Sequence, residues 1–221
     1  MHWQAADPHR PPVSLHGPLL HLWWWAPERQ PALSSRRARI DALLRRTLAA
    51  YVGLPPEALR FGREAKGRPY LLHDGAPDFN LTDTDGGTLV AVCRGARVGV
   101  DIERTRRAVS ARPLARRWFA PEEAAALDAL DDAAARAAFL RLWTAKEASC
   151  KATGTGIYGW LAHWRFDPDS HAPRLLSAPT DAGVADEWSY LRLSPPGGAH
   201  TVALAARGTL PVATGFVATP E

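Results

Sequence analysis

The chain has 221 residues, 46% of them hydrophobic, and its 27 Lys and Arg against 23 Asp and Glu give a formal net charge of +4 and a pI near 9.4. That is enough apolar chain for one good-sized core or two small ones, and no apolar run approaches the roughly 18 residues that a bilayer crossing needs. The opening MHWQAADPHR lacks the charged-then-apolar layout of a secretion signal, and the two cysteines, Cys93 and Cys150, make neither a disulfide framework nor a four-ligand zinc site, so a cytoplasmic protein with no membrane partner and two reduced core thiols is expected.

In chain order, His21 to Trp25 (HLWWW) reads as a buried strand. After a Pro-bounded turn, Ser34 or Ser35 caps a helix that ends near Gly53, with Ile40, Leu43, Leu44, Thr47, Leu48 and Tyr51 at helical spacing. A Gly/Pro-rich loop with Gly67, Arg68 and Pro69 follows, then a strand from Phe79 to Thr82. Thr88 to Cys93 is expected to pair with Val98 to Ile102 across a turn at Gly95 and Ala96. The basic stretch Arg104 to Arg117 reads as a connection. Pro121 starts a helix, Asp131 or Asp132 caps a longer one running to about Thr153, and strands recur at Ala162 to Phe166, Trp188 to Leu193 and His200 to Ala206. The second half thus repeats the first half's mix of helix and antiparallel strand, which predicts an α+β protein of two similar lobes, residues 1–105 and 106–221, each a small antiparallel sheet with packed helices.

Two segments carry chemistry. In Gly99-Val100-Asp101-Ile102-Glu103, strand alternation sends Asp101 and Glu103 to one face and Val100 and Ile102 to the other. Carboxylates that close repel unless a cation or water separates them; taken alone, a solvated strand end accounts for them as well. In Trp143-Thr144-Ala145-Lys146-Glu147-Ala148-Ser149-Cys150-Lys151, Glu147 and Lys151 lie four apart and share a helix face. An ordinary surface ion pair has the same spacing. Gly154 to Gly159 spells G-x-G-x-x-G, but a dinucleotide fingerprint needs a strand before it and a helix after it, whereas here a helix ends at it. The positive charge fits an anionic partner, yet no zinc-finger spacing, basic leucine-zipper pattern or RNA-recognition signature is present, so no nucleic acid is expected.

Together the two segments resemble the signature motifs of the 4′-phosphopantetheinyl transferases, G-(V/I)-D-(V/I)-E and W-(S/T)-x-K-E-A-x-x-K-x-x-G, in the same order. Supporting stretches are Arg60-Phe61 through Pro69, Phe79-Asn80-Leu81, Trp118 to Glu122 and Phe139 to Trp143. The whole chain resembles the surfactin-synthetase-activating, two-lobed type, which implies a monomer whose lobes are related by a pseudo-twofold axis. The resemblance implies Mg-dependent transfer of the 4′-phosphopantetheine moiety of coenzyme A to a serine of an apo acyl or peptidyl carrier protein, with release of adenosine 3′,5′-bisphosphate. It assigns Mg2+ to Asp101, Glu103 and Glu147, makes Glu147 the general base and gives Lys151 a phosphate, with Lys146 in a similar role. Coenzyme A contacts carry over to Arg68 of Gly67-Arg68-Pro69, to Thr82, and to an arginine among Arg36, Arg37 and Arg39, with Arg36 chosen by an ungapped alignment.

One departure concerns Thr82-Asp83-Thr84, which stands where the family pattern is Ser-His-Ser. The carboxylate of Asp83 replaces a histidine that helps bind the nucleotide 3′-phosphate, and it would repel a phosphate unless protonated, turned away or paired with a nearby arginine. Coenzyme A binding with altered 3′-phosphate contacts is the expectation. The alternative is a non-catalytic relative that binds coenzyme A or a carrier protein without transfer.

Overall fold

The computed structural model describes residues 1–11, 16–31, 33 and 35–219. In chain order its elements are β1 (Trp3–Ala6), β2 (Leu19–Trp25), α1 (Arg36–Val52), β3 (Phe61–Arg63), β4 (Pro69–Leu71), β5 (Asp78–Thr84), β6 (Gly87–Arg94), β7 (Val98–Arg104), α2 (Ala111–Trp118), α3 (Pro121–Asp128), α4 (Asp132–Thr153), β8 (Arg165–Phe166), β9 (Leu175–Ser177), β10 (Trp188–Leu193), β11 (His200–Arg207) and β12 (Ala213–Ala218). The fold is mixed α+β, as expected. No helix among the described residues is long and apolar enough to cross a membrane.

The chain forms two compact units, one of Met1–Arg97 with the chain from Leu210 onward, the other of Val98–Thr209. The expected division at 105 and 106 is therefore displaced. β7 belongs with the second unit because it pairs with β11 along its whole length, from His200 opposite Arg104 to Ala206 opposite Val98. The final strand β12 returns to the first unit, where it lies between β1 and β2.

The first unit is built on a sheet of order β1-β12-β2-β6-β5. Pairing is antiparallel at β2/β6 and β5/β6 but parallel at β1/β12 and β12/β2, so the expected antiparallel sheet is mixed. The physical reason is that β12 enters after a long excursion, so no tight turn dictates its direction. β2 is buried along its full length. Trp23 Nε1 donates to Tyr51 Oη at 2.8 Å and Trp25 Nε1 to Thr47 Oγ1 at 3.1 Å, which fastens one face of β2 to α1. Ser35 caps α1 by accepting from the Ala38 N–H, and Gly53 closes it in the left-handed conformation; Ser34, the other candidate cap, lies outside the described residues.

The second unit carries the sheet β10-β11-β7, with a core of Phe119, Phe139, Leu142, Trp164 and Phe166 under α2, α3 and α4. Asp131 caps α4 through the Ala134 N–H, and Gly154, at φ 74°, ends it. Three expectations are corrected here. The segments at Thr88 and Val98 do not pair as a hairpin: β6 bonds to β2 and β5, and β7 to β11, since alternation describes a strand but not its partner. The basic connection contains α2, which starts two residues before Pro113, within the first turn, where proline is tolerated. The strand expected from Ala162 is a 3₁₀ turn over Leu161–His163, with only Arg165–Phe166 extended. Cys93 and Cys150 are buried and free.

Candidate functional site

The second unit brings the two sequence segments together. On β7, Asp101 and Glu103 share a face as alternation requires, and the neighbouring Gly99 explains how close α4 approaches: a Cβ there would lie 2.0 Å from the Ala148 carbonyl oxygen and 2.4 Å from the Ala152 nitrogen. Lys151 Nζ donates to Asp101 Oδ1 at 2.6 Å and to the Val100 carbonyl at 3.1 Å, and stands 4.0 Å from Glu147 Oε2 one turn earlier on the helix. A single ammonium therefore bridges carboxylates of strand and helix. Glu103 is paired with Arg107 across the turn that follows β7.

The electrostatics reflect crowding of negative charge. Burial pushes the Glu147 carboxyl up to about 7, the charge of Asp101 adds to the rise, and Lys151 opposes it. Glu103 is raised by burial and then by Asp101, against the pull of Arg107. For Lys151, burial works against the charge, but Asp101 and Glu147 outweigh it and hold the ammonium above its ordinary value. Among the described residues no group of three or more His, Cys, Asp or Glu side chains stands ready to hold a metal ion.

Lys146 does not join this cluster. Its side chain is fully buried, with its ammonium 2.7 Å from Glu123 Oε2 and donating to the Leu161 and Trp164 carbonyls. The phosphate contact expected of Lys146 is thereby corrected: neighbours on a helix point about 100° apart, so the residue before Glu147 faces the core. Glu123 was not singled out from sequence, although glutamate at N3 of a helix that begins with proline is a capping signature, and here it does accept the Ala120 N–H at 2.9 Å. Arg107 was missed as well; its only signal is a position four residues after Glu103.

A family model described as the 4′-phosphopantetheinyl transferase superfamily matches residues 97–205, the stretch that contains all of these groups. The chain belongs to this superfamily. It is 33% identical over 156 residues to the 4′-phosphopantetheinyl transferase HetI of a Nostoc species, covering 69% of this chain and 63% of that protein. The 4′-phosphopantetheinyl transferase psf-1 of Bacillus pumilus is 33% identical over 149 residues, 65% of this chain and 62% of its own length. That of Bacillus subtilis is 31% identical over 119 residues, 53% and 51% of the two chains. The chain thus spans less than two thirds of the length of these curated relatives.

The remaining residues assigned from the 4′-phosphopantetheinyl transferase pattern lie in the first unit. Arg36 Nε donates to Asp83 Oδ2 at 2.7 Å, and Arg39 reaches the same oxygen at 3.2 Å. The carboxylate that replaces the family's histidine is therefore neutralised from α1, with the Thr88 hydroxyl on its other oxygen. Alternation along β5 puts Thr82 on the face opposite Asp83, so Arg36 and Thr82 are not brought together. Arg68 is buried, with Nη2 2.7 Å from Asp78 Oδ2 and Nη1 3.7 Å from Glu64 Oε1.

Proposed function

We propose that this protein transfers the 4′-phosphopantetheine arm of coenzyme A to a serine of an apo acyl or peptidyl carrier protein, as a monomeric cytoplasmic enzyme that uses Mg2+. The observation that carries the reading is the meeting of Asp101 and Glu147 around one ammonium. The donor chemistry fits the ion: magnesium takes carboxylate oxygens, phosphate oxygens and water, and a carboxyl raised to about 7 by burial and by neighbouring acids is one whose ionised form a cation would favour. Asp101, Glu103 and Glu147 would hold it, with Lys151 and Arg107 giving up their present pairing. When bound, Mg2+ would neutralise charge on the pyrophosphate oxygens.

The chain's own groups supply the rest. Glu147 accepts the proton of the carrier serine hydroxyl, directly or through water. The serine oxygen forms a bond to the β-phosphorus of coenzyme A, the pyrophosphate P–O bond breaks, and adenosine 3′,5′-bisphosphate leaves with the electron pair. Lys151 holds a phosphate oxygen. Of the first-unit residues that the resemblance assigns to coenzyme A, Arg68 is already aligned by Asp78, whereas Arg36 is held by Asp83 and faces the side of β5 opposite Thr82, so Arg36 and Thr82 are not proposed as contacts to one ligand group.

The test is to incubate the protein with an apo carrier domain, coenzyme A and Mg2+ and to weigh the carrier by mass spectrometry. A gain of one phosphopantetheine is expected, and Glu147→Gln or Asp101→Ala should lower the rate by about a hundredfold or more while circular dichroism remains that of the folded protein. An unchanged carrier mass together with saturable coenzyme A binding would establish the non-catalytic binder instead.

A further inference from the structure

Lys146 and Glu123 form an ion pair inside the core of the second unit, with side chains 0% and 3% exposed. An ammonium has three N–H groups to place, and here each has an acceptor: Glu123 Oε2 at 2.7 Å, the Leu161 carbonyl at 2.9 Å and the Trp164 carbonyl. Glu123 is as fully used. Its Oε2 also accepts the Ala120 N–H at 2.9 Å, and its Oε1 accepts the Phe166 N–H at 2.8 Å. The rings of Phe119 and Phe166 lie 4.8 and 6.0 Å from the ammonium. One charged joint therefore ties the start of α3, the middle of α4 and the 161–166 segment.

A buried ion pair is a poor source of stability, because desolvation offsets the attraction and an apolar pair of like volume often serves as well. What such a joint supplies is direction. Three donors with three fixed acceptors allow one rotation and one axial setting of the helix turn that bears Lys146, and Glu147 is the next residue on that turn. On the strand side, the same stretch of α4 is held by the contact of Gly99 with Ala148 and Ala152. We propose that Lys146 and Glu123 are positioning residues, which set α4 so that the Glu147 carboxylate meets Asp101 and Glu103 in a single cation-binding arrangement. This rests on the metal reading above.

The experiment measures Mn2+ binding to the protein without coenzyme A, by electron paramagnetic resonance of the free ion, alongside kcat and KM for the carrier. The variants are Lys146→Met/Glu123→Gln, which removes both charges and keeps an amide oxygen for a backbone N–H, and the milder Glu123→Gln alone. In the folded double variant the Mn2+ dissociation constant should rise about tenfold or more and kcat should fall by a similar factor, with KM for the carrier unchanged. Wild-type Mn2+ affinity in a folded double variant overturns the inference. Should that variant not fold, Glu123→Gln decides in the same way, weakened binding supporting the proposal and unchanged binding overturning it. Absence of Mn2+ binding by the wild-type protein overturns the metal reading itself, and this inference with it.

Discussion

His21 shows how a single side chain couples the fold to pH. Its Nδ1 lies 2.7 Å from Tyr51 Oη, which itself accepts from Trp23 Nε1, so the tyrosine hydroxyl has its proton to donate to a neutral ring. Burial pushes the His21 pKa down to about 4, below the ordinary value of about 6.5. A histidine depressed in this way contributes stability above its unfolded pKa and loses it as pH falls from about 6.5 to 4, an effect worth up to about 3 kcal/mol. Denaturant unfolding at pH 7.5 and pH 4.5 should show that loss in the wild-type protein and a clearly smaller one in His21→Gln. Asp83 makes a different point at this scale. From sequence alone its charge could have been protonated, turned away or paired; the structure selects pairing, with Arg36 and Arg39, because the helical spacing of three places both arginines on the α1 face toward β5.

Elements meet closely only where side chains allow it. The approach of α4 to β7 needs Gly99, since any Cβ there would collide with backbone atoms of Ala148 and Ala152, and backbone cannot rotate away as a side chain tip can. Gly99→Ala should therefore push the helix outward, at a cost of about 1–3 kcal/mol, and should separate Lys151 from Asp101 as well. Thermal denaturation and Mn2+ binding measured on the same sample check both consequences; a variant with wild-type values for each would falsify the close-contact argument. The elements that sequence described well are those with end signals, α1 between Ser35 and Gly53 and α4 between Asp131 and Gly154. Those it described poorly, α2 and the Arg165–Phe166 strand, are short and owe their form to burial of Ala111, Ala115 and Phe166 in the second unit's core.

At the scale of the whole molecule, charge bears on partner choice. The net charge is +4, and Arg104 at the end of β7 and Arg106, Arg107, Arg116 and Arg117 in the stretch that follows it are exposed. Arg116 is engaged locally with Asp128, and Arg112 with Asp132, so reversal at either would disturb the fold's own ion pairs; Arg106 is the cleaner probe. If an acidic carrier surface docks on this stretch, Arg106→Glu should raise KM for the carrier several-fold, leave kcat intact, and reduce the salt dependence of the rate. Steady-state assays at two ionic strengths decide it.

By itself the sequence determined what is local. Alternation put Asp101 and Glu103 on one face of a strand, a four-residue spacing put Glu147 beside Lys151, and cap residues set the ends of the helix that carries them, because each of these follows from backbone geometry within a turn or two. Tertiary structure decided the rest: that β7 bonds to β11 rather than to β6, that β12 returns to the first unit's sheet, and that Lys146 turns inward to Glu123 while Lys151 reaches Asp101, fifty positions away in the chain. Those contacts come from the packing of apolar surfaces with many possible partners, and no periodicity in a single chain records which partner buries them best.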